Sequence, residues 1–453
     1  MEREIMDPTF SAPEIIFDLQ NKKFCDMVSI CYERHPYYRR WFRESGVRLE
    51  SIRGLKDLSK VPLVSKTEFM ADPEAFRLEP KGPDELLWDV AYTAGTTSGQ
   101  PTPFYNTAHD FFEMLEYTRR TTELLGITSN DVLANLFPLR GLPHGAFTGA
   151  IRTAMVLGAR HFFTLPGKSA ANPRFDHSTD DVVRQVEAQK ATVLFGVHSF
   201  VRRVIMRAIE LGSDLSSVRL CCLTGEALPP AFYHDLRERI MRLGGENPWI
   251  VNRYGITEIQ GALIECRPGG PLHNCAPDQF YFEVIDLETG RSLSDGETGW
   301  ITLTHLNRRG TVLLRFVIGD SAVLQRDPCP DCGRCGERVV VNPQRKDHLI
   351  KLKGTLINPL IIEEILTHCS DIEEYQIVLK RANEGDPFSP EKMVLRLASQ
   401  REDAESLRRF LEQEVKRAVD ITPEIEIVSK DAIFDPDRSM KAVRLIDLRN
   451  ASS

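Results

Sequence analysis

The stretch YTAGTTSGQPTPF, residues 92–104, concentrates glycine and hydroxyl residues directly after the apolar-polar run LLWDVAY. Glycines let backbone N–H groups approach an anion closely and hydroxyls add donors, so this composition is typical of a loop that cradles phosphate. It is not a GxxxxGK[ST] motif, because no lysine follows the second glycine. A Ser/Thr/Gly surface turn is the alternative interpretation. The residues that would face a phosphate are Thr93, Gly95, Thr96, Thr97, Ser98 and Gly99.

Further segments carry groups that suit a nucleotide. CLTGEALPP (222–230) places a Gly-Glu turn after an apolar strand, and RYGITE (253–258) places a hydroxyl beside a carboxylate, which suits a phosphate and Mg²⁺. LLRFVIGD (313–320) ends a strand in Gly-Asp, where the carboxylate could accept from ribose hydroxyls. QRKDHLIKLKG (344–354) and RSMKAVR (438–444) supply cations.

The hydrophobic pattern around these segments predicts an α/β protein with a buried sheet. Short apolar runs such as VLANLFPL and TVLFGV alternate with helix-like stretches, and near the N-terminus an amphipathic helical segment stops at Gly46. After residue 343 the elements become smaller. EEYQIVLK, EKMVLRLAS and EIEIV predict strands, and REDAESLRRFLEQEVKRAV predicts a helix. One face of that helix should carry Leu407, Phe410, Leu411 and Val415.

Taken in order, the segments resemble the motifs of the ATP-dependent adenylate-forming superfamily, in particular its phenylacetate–CoA ligase-like branch. The resemblance covers nearly the whole chain, including HPYYRRWFRESGV and SIRGLKDLSKVPLVSKTEF near the N-terminus. It departs from the family at Ser98, which is interposed in the loop, and at Gln100, where lysine is frequent. The implied fold is a large multi-sheet α/β domain (1–343), a hinge (344–347) and a small mobile α+β domain (348–453).

The resemblance implies that ATP activates a carboxylic acid as an acyl-adenylate, which is then transferred to the thiol of CoA. The branch favours an aromatic or heteroaromatic acid. A carrier-protein phosphopantetheine presents the same thiol arm, so an acyl carrier protein is the alternative acceptor. A zinc-stabilised binding module on an inactive ligase scaffold is a hypothesis from another class.

The resemblance also assigns roles to individual residues. Lys441 would contact the substrate carboxylate and the α-phosphate, Thr257 would bind the α-phosphate, and Glu258 would hold Mg²⁺. Without the family match, Lys441 would be read as part of a solvated surface. The other ATP contacts would be Gly225, Glu226, Tyr254, Gly255, Asp320 and Arg345. Asp347 would be the hinge pivot. The walls of the acid pocket would be His144, Phe147, His198 and Phe200.

Cysteine spacing predicts a structural Zn²⁺ site. Of ten cysteines, three lie in DPCPDCGRCGER (327–338), and ECRPGGPLHNC (265–275) adds two more and a histidine. Thiolates at C-x-x-C spacing in a Pro/Gly turn can point at one metal ion. Reduced buried thiols and an Fe–S cluster are the alternatives. The ligands would be four of Cys266, His273, Cys329, Cys332 and Cys335, with Cys335 as the replacement.

Composition narrows the remaining possibilities. The 453 residues allow two or more domains, and 57 basic against 65 acidic residues give a net charge of −8. This charge and the absence of a long basic run argue against a nucleic-acid partner. No run of about 18 apolar residues and no signal-peptide pattern is present, so we expect no membrane partner and a cytoplasmic location. The branch makes a homodimer plausible.

Overall fold

The computed structural model describes ten stretches of the chain, which form two compact units. The stretches are 7–92, 102–138, 145–167, 177–225, 228–345, 350–352, 355–383, 389–401, 403–435 and 441–449, with the backbone alone at 341–345, 351, 355 and 356. The first unit lies within 1–133, 139–161 and 251–344, and the second within 134–138, 162–250 and 345–453.

Helices and strands are mixed throughout the chain, which confirms the α/β class. The helices are α1 (Pro13–Arg34), α2 (Pro36–Ser45), α3 (Lys66–Ala71), α4 (Ala108–Leu124), α5 (Gly145–Leu157), α6 (Thr179–Ala188), α7 (His198–Leu211), α8 (Pro230–Arg242), α9 (Pro359–His368), α10 (Ala404–Val419) and α11 (Lys430–Ile433). Short 3-10 helices span Pro8–Phe10, Leu49–Ser51, Leu55–Lys60, Pro73–Phe76, Pro83–Glu85 and Thr257–Ile259. Across the described stretches, none of the helices is both long enough and apolar enough to cross a membrane.

The strands vary from two to ten residues in length. They are β1 (Leu87–Tyr92), β2 (Pro103–Thr107), β3 (Val132–Asn135), β4 (Arg160–Phe163), β5 (Val193–Val197), β6 (Leu220–Thr224), β7 (Trp249–Ile256), β8 (Gly261–Glu265), β9 (Leu272–His273), β10 (Phe280–Ile285), β11 (Thr298–His305), β12 (Phe316–Gln325), β13 (Arg338–Arg345), β14 (Ile350–Leu352), β15 (Thr355–Ile357), β16 (Ile372–Arg381), β17 (Glu391–Ser399), β18 (Glu424–Ile427) and β19 (Leu445–Asp447).

The first unit is built on antiparallel pairing. Its strands follow the order β10-β11-β12-β13-β9-β8-β7, and β1 and β2 form a separate antiparallel pair. One apolar cluster packs Phe24 of α1 and Tyr38 of α2 against Phe316 of β12. Helix α2 ends at Gly46, whose φ of 70° is left-handed, so the predicted stop is confirmed.

The second unit has a parallel core. Strands β5 and β6 pair in parallel, and every residue of both is buried, which explains their uninterrupted apolar sequence. Helices α6, α7 and α8 contribute to the apolar cluster around them. Ile433, Phe434 and Ala442, from near the C-terminus, belong to the same cluster. Burial thus ties the C-terminal segment to this core.

The C-terminal part of the second unit contains a four-stranded sheet in the order β18-β17-β16-β19. The predicted strands and the helix α10 are confirmed. The predicted apolar face of α10 is wrong at one position, because Phe410 is 45% exposed. The buried stripe of α10 takes every fourth residue and Phe410 lies beside it. Its members are Leu407, Leu411, Val415 and Val419.

Candidate functional site

A tight turn between β7 and β8 carries Thr257 and Glu258, and we call residues 257–260 the Thr-Glu turn. The 3-10 helix Thr257–Ile259 is followed by Gln260, whose φ of 51° and ψ of 32° are left-handed. Glu258 is buried and Thr257 is half-buried. The turn therefore places a carboxylate and a hydroxyl next to each other on a constrained backbone.

The strand after the turn begins at a residue that must be glycine. A Cβ at Gly261 would lie 2.6 Å from a ring carbon of Tyr117. The Ala262 N–H donates to the Tyr117 hydroxyl at 3.0 Å, and that hydroxyl donates to the Ala262 carbonyl. This two-way contact from α4 fixes the register at which β8 leaves the turn.

Two predicted nucleotide contacts are hydrogen-bonded to each other. The Tyr254 hydroxyl, on β7, donates to the Asp320 carboxylate on β12. Asp320 is buried and Tyr254 is half-buried, while Gly255, the next residue along β7, is exposed. The pair combines an aromatic ring with a carboxylate acceptor, two groups that suit the base and the ribose of a nucleoside.

In the second unit, Lys441 reaches the turn that follows β6. Its Nζ donates to the Gly225 carbonyl at 2.7 Å. Gly225 has a φ of 91°, and a Cβ there would lie 3.1 Å from Lys441 Cε. The adjacent Ala442 N–H donates to Ser199 Oγ at 3.3 Å, which anchors the backbone beside the lysine. A left-handed backbone and close approach of the lysine both explain glycine at residue 225.

The described residues predicted to line the acid pocket are all buried. His198 and Phe200 lie in the first turn of α7, where the His198 ring meets Phe232 edge-on at 6.1 Å. Phe200 belongs to the apolar cluster of the second unit. Phe147 lies on α5 in the first unit.

Several predicted site residues lie outside what the structure describes. For Arg345 the backbone at the end of β13 is described, but not the side chain. The predicted residues outside the described stretches are Thr93, Gly95, Thr96, Thr97, Ser98, Gly99, His144, Glu226 and Asp347.

Four of the predicted metal ligands meet in the first unit, and we call them the metal cluster: Cys266, His273, Cys329 and Cys332. Their ligand atoms all lie within 4.8 Å of one another. The Cys332 Sγ to His273 Nε2 distance is 3.6 Å, which matches an edge of a tetrahedron with zinc-length bonds. The Cys329 N–H donates to the Arg334 carbonyl at 2.8 Å, closing the turn that carries both thiols. Three thiols and one imidazole therefore fit a tetrahedral Zn²⁺.

The electrostatics of the metal cluster agree with that donor set. Burial, together with Arg334 and Arg338, lowers the pKa of His273 to about 4, so the imidazole is neutral at pH 7 and able to ligate a metal. Burial raises the pKa of the Cys266 thiol, and the thiols of Cys332 and Cys329 raise it further. A bound cation would reverse that effect by stabilising thiolates.

Cys335, the predicted replacement ligand, is not a member of the metal cluster. It is buried, and its backbone N–H donates to the Thr9 carbonyl at 2.6 Å. Cys275 is also buried and outside the cluster. The side chains that converge are those of Cys266, His273 and the C-x-x-C pair Cys329 and Cys332.

Sequence reasoning missed the residues that support the Thr-Glu turn. His305 donates to the Glu258 carbonyl, and Arg152 donates to the Gln260 carbonyl. They come from β11 and α5, far along the chain from the turn and outside every recognised motif. No local pattern could have indicated them.

Comparison with protein families gives two matches. The model described as AMP-binding enzyme matches residues 49–306, and the model described as AMP-binding enzyme C-terminal domain matches residues 354–449. The first range contains Gly225 and the Thr-Glu turn, and the second contains Lys441. Together the two models span most of the chain.

The individual relatives share less than 30% sequence identity with this chain. A phenylacetate-coenzyme A ligase from Thermus thermophilus is 27% identical over 368 residues, covering 80% of this chain and 78% of the relative. One from Escherichia coli is 24% identical over 443 residues, covering 95% and 94%. A 2-hydroxyisobutyryl-CoA ligase structure in the postadenylation state, bound to an acyl-AMP, has a TM-score of 0.80 at 20% identity, covering 99% of this chain and 94% of the other.

Proposed function

The chain belongs to the AMP-binding enzyme family of adenylate-forming ligases, and from that premise we propose that it joins a carboxylic acid to AMP and transfers the acyl group to CoA. One observation supports this most directly. Lys441, from the part matched by the C-terminal family model, donates to the Gly225 carbonyl in the part matched by the AMP-binding model. A lysine hydrogen-bonded to the Gly225 turn is consistent with the adenylation step of such an enzyme.

The adenylation step brings two anions together. A carboxylate oxygen attacks the α-phosphorus of ATP and pyrophosphate leaves, so the protein must mainly neutralise and align charge. In this proposal the Lys441 ammonium contacts both the acid and the α-phosphate, and the Thr257 hydroxyl donates to an α-phosphate oxygen. The Glu258 carboxylate holds Mg²⁺, which supplies charge neutralisation on the phosphates when bound.

Other residues hold the nucleoside and the phosphates. Tyr254 stacks on adenine while its hydroxyl, hydrogen-bonded to Asp320, orients the carboxylate that accepts from the ribose. We propose that Arg345 would complete the ribose contact and that Gly225 and Glu226 would contact the adenine edge. Backbone and hydroxyl donors of the glycine- and threonine-rich loop, residues 93–99, would bind the phosphates.

We propose an aromatic or heteroaromatic acid. Support comes from the relatives named phenylacetate-coenzyme A ligase and from the aromatic side chains among the residues predicted to line the acid pocket. Phe147, His198 and Phe200 would form its walls together with His144. The edge-on contact of His198 with Phe232 places an apolar ring behind that imidazole.

The test is acid-dependent ATP–pyrophosphate exchange with a panel of aryl, indolyl and aliphatic acids. We expect exchange with one or more aryl or indolyl acids and weaker exchange with aliphatic acids of similar size. Exchange confined to aliphatic acids would overturn the substrate class. No exchange with any acid, despite a folded protein, would overturn the ligase activity.

The acceptor is tested separately. CoA should convert the adenylate to a thioester, with AMP forming in proportion to CoA added. Rates are compared between CoA and phosphopantetheine-bearing carrier proteins at equal thiol concentration. Faster transfer to a carrier protein would favour the biosynthetic alternative. Asp347 is proposed as the pivot on which the small domain turns between the two steps.

We further propose that the metal cluster binds one structural Zn²⁺. Four protein ligands leave no open position, so the metal would stabilise the fold and take no part in the chemistry. Elemental analysis of purified protein should find one zinc per chain, and absence of stoichiometric zinc would contradict the proposal. The inactive-scaffold alternative is less consistent with a chain that retains Glu258, Asp320 and Lys441.

A further inference from the structure

The Thr-Glu turn is supported from inside the first unit by His305, the last residue of β11. His305 is fully buried, and its Nδ1 accepts a hydrogen bond from the Leu313 N–H at 3.0 Å. Because Nδ1 is the acceptor, the ring proton is on Nε2, which lies 2.9 Å from the Glu258 carbonyl oxygen. His305 therefore donates to the backbone of the residue whose carboxylate is proposed to hold Mg²⁺.

Two aromatic rings fix the orientation of that imidazole. Phe104 meets it edge-on with ring centroids 6.3 Å apart, and Phe280 packs at 5.9 Å with an interplanar angle of 63°. Rotating the His305 ring would break both backbone hydrogen bonds and disturb both contacts. The donor at Nε2 is thus held in one place.

Arg152 on α5 supports the other end of the turn. Its Nη2 donates to the Gln260 carbonyl at 2.8 Å and its Nη1 to Thr148 Oγ at 3.2 Å. Burial and the nearby Arg253 lower the pKa of Arg152 to about 10. The nearby Asp89 carboxylate acts in the opposite direction and partly offsets the cost of burying this cation.

Within the turn, Gln260 completes the set of hydrogen bonds. Its left-handed backbone is unfavourable for a residue with a side chain, and its Nε2 donates to the Thr257 carbonyl at 2.6 Å. The carbonyls of Thr257, Glu258 and Gln260 thus each accept from a side chain. Such a turn cannot relax without losing buried hydrogen bonds.

We propose that His305 and Arg152 are positioning residues for adenylation, holding the Thr-Glu turn so that the Glu258 carboxylate and the Thr257 hydroxyl meet Mg²⁺ and the α-phosphate in one geometry. The inference rests on the proposed ligase function. Neither side chain touches substrate in this scheme. Both act through the backbone of the turn, as second-layer partners of metal ligands do.

The test uses the full chain with His305→Leu and with Arg152→Met, which remove the donors while keeping bulk. ATP–pyrophosphate exchange is measured against Mg²⁺ concentration with the best acid of the panel. We expect a 10- to 100-fold lower rate or a 10- to 100-fold higher half-saturating Mg²⁺ concentration, the range for lost outer partners of metal ligands. Transfer from synthetic acyl-adenylate to CoA, which does not use Mg²⁺, should stay within about twofold of wild type.

Conservative variants report on the hydrogen bond itself. His305→Gln places an amide N–H near the position of Nε2, and Arg152→Lys keeps one donor and the charge. Each should recover part of the exchange rate lost in the apolar variant. Equal losses in His305→Gln and His305→Leu, together with equal losses in Arg152→Lys and Arg152→Met, would contradict the proposed donors.

His35 offers a matched control in the same unit. It is fully buried, its Nδ1 accepts from the Tyr38 N–H at 3.3 Å, and its Nε2 lies 3.1 Å from the Val312 carbonyl oxygen. The same Val312–Leu313 peptide donates its N–H to His305 Nδ1, so this control disturbs the far side of the His305 ring and leaves the donor to the Glu258 carbonyl in place. His35→Leu should lower the thermal unfolding temperature as His305→Leu does and leave the half-saturating Mg²⁺ concentration unchanged.

The outcomes separate the two proposals. An active wild-type enzyme with unchanged exchange and Mg²⁺ dependence in the His305 and Arg152 variants overturns the positioning role alone. The same holds if His35→Leu shifts the Mg²⁺ dependence equally. A folded wild-type enzyme that neither exchanges pyrophosphate nor binds Mg²⁺·ATP by calorimetry overturns the ligase proposal and the positioning role with it.

Discussion

The metal cluster and the contact between Lys441 and Gly225 differ in how deeply their side chains are buried. In the metal cluster, donors from separate segments of the first unit converge, with three of the four buried and the adjoining loops tied by an Arg267–Asp331 ion pair of 2.9 Å. Lys441 in the second unit is half-exposed, and its Nζ donates to the Gly225 carbonyl at 2.7 Å. Burial suits a permanent structural element, whereas exposure to solvent suits a group that must engage and release.

This contrast predicts that substitutions in one region change stability and that substitutions in the other change catalysis. Substitutions in the metal cluster should act on the free energy of unfolding, because the cluster joins segments distant in sequence. Substitutions at Lys441 should act on adenylation, because its half-exposed side chain carries the cation proposed to contact the acid and the α-phosphate.

The largest effect is expected for Lys441→Ala. Removing the cation proposed to contact both the acid and the α-phosphate should lower the exchange rate by about 10²- to 10³-fold, the usual loss for one transition-state donor. The free energy of unfolding should fall by about 1 kcal/mol or less, the usual net contribution of one hydrogen bond. Pyrophosphate exchange and thermal unfolding of the same preparation provide the two measurements.

Lys430→Ala is the matched control for that lysine. Lys430 also pairs with a group of the second unit, donating to Glu210 at 2.7 Å, but it has no role in the proposed site. Its loss should leave exchange unaltered. If both lysine variants lose activity alike, general damage to the C-terminal segment explains the result better than lost charge at residue 441.

The next largest effect is expected for Cys266→Ser. A hydroxyl is a poor zinc ligand, so zinc content should fall well below one per chain. The free energy of unfolding should drop by about 3 kcal/mol or more, since loss of a metal is among the large destabilising changes. For a unit of this size that corresponds to roughly 6–12 °C in unfolding temperature.

Cys275→Ser, which follows β9 and lies outside the cluster, tests whether any buried cysteine would behave this way. It should retain zinc and lose much less stability. Full zinc content in Cys266→Ser would show that this thiol is not a ligand.

These differences also show what sequence could predict. The metal cluster could be predicted from sequence because two of its cysteines are spaced so closely that one turn holds both. The strands β16, β17 and β18 could be predicted from their alternating apolar residues. The role of His305 could not be predicted, because its partner Glu258 lies 47 residues earlier and its environment arises from tertiary packing. Phe410 shows the same limit, since periodicity alone does not say where a buried stripe ends.

An intermediate effect is expected for Gly225→Ala. The added Cβ would lie 3.1 Å from Lys441 Cε and 3.2 Å from Nζ, on a backbone with φ of 91°. Left-handed strain and displacement of the ammonium together should lower exchange by about 10-fold, equivalent to about 1.4 kcal/mol. A rate equal to wild type would mean that adenylation does not require the Lys441–Gly225 contact.

The smallest effect is expected for Cys335→Ala, which tests the boundary of the metal cluster. Cys335 anchors its loop through its backbone N–H, which donates to the Thr9 carbonyl, and alanine retains that donor. Zinc content should remain at one per chain and stability should fall by about 1 kcal/mol or less, the cost of removing a small buried group. A loss of zinc comparable to that of Cys266→Ser would place Cys335 among the ligands. The exposed turn that carries Cys332 would then have to exchange one thiol for another, and the contrast between a permanent metal cluster and a releasable Lys441 contact would fail.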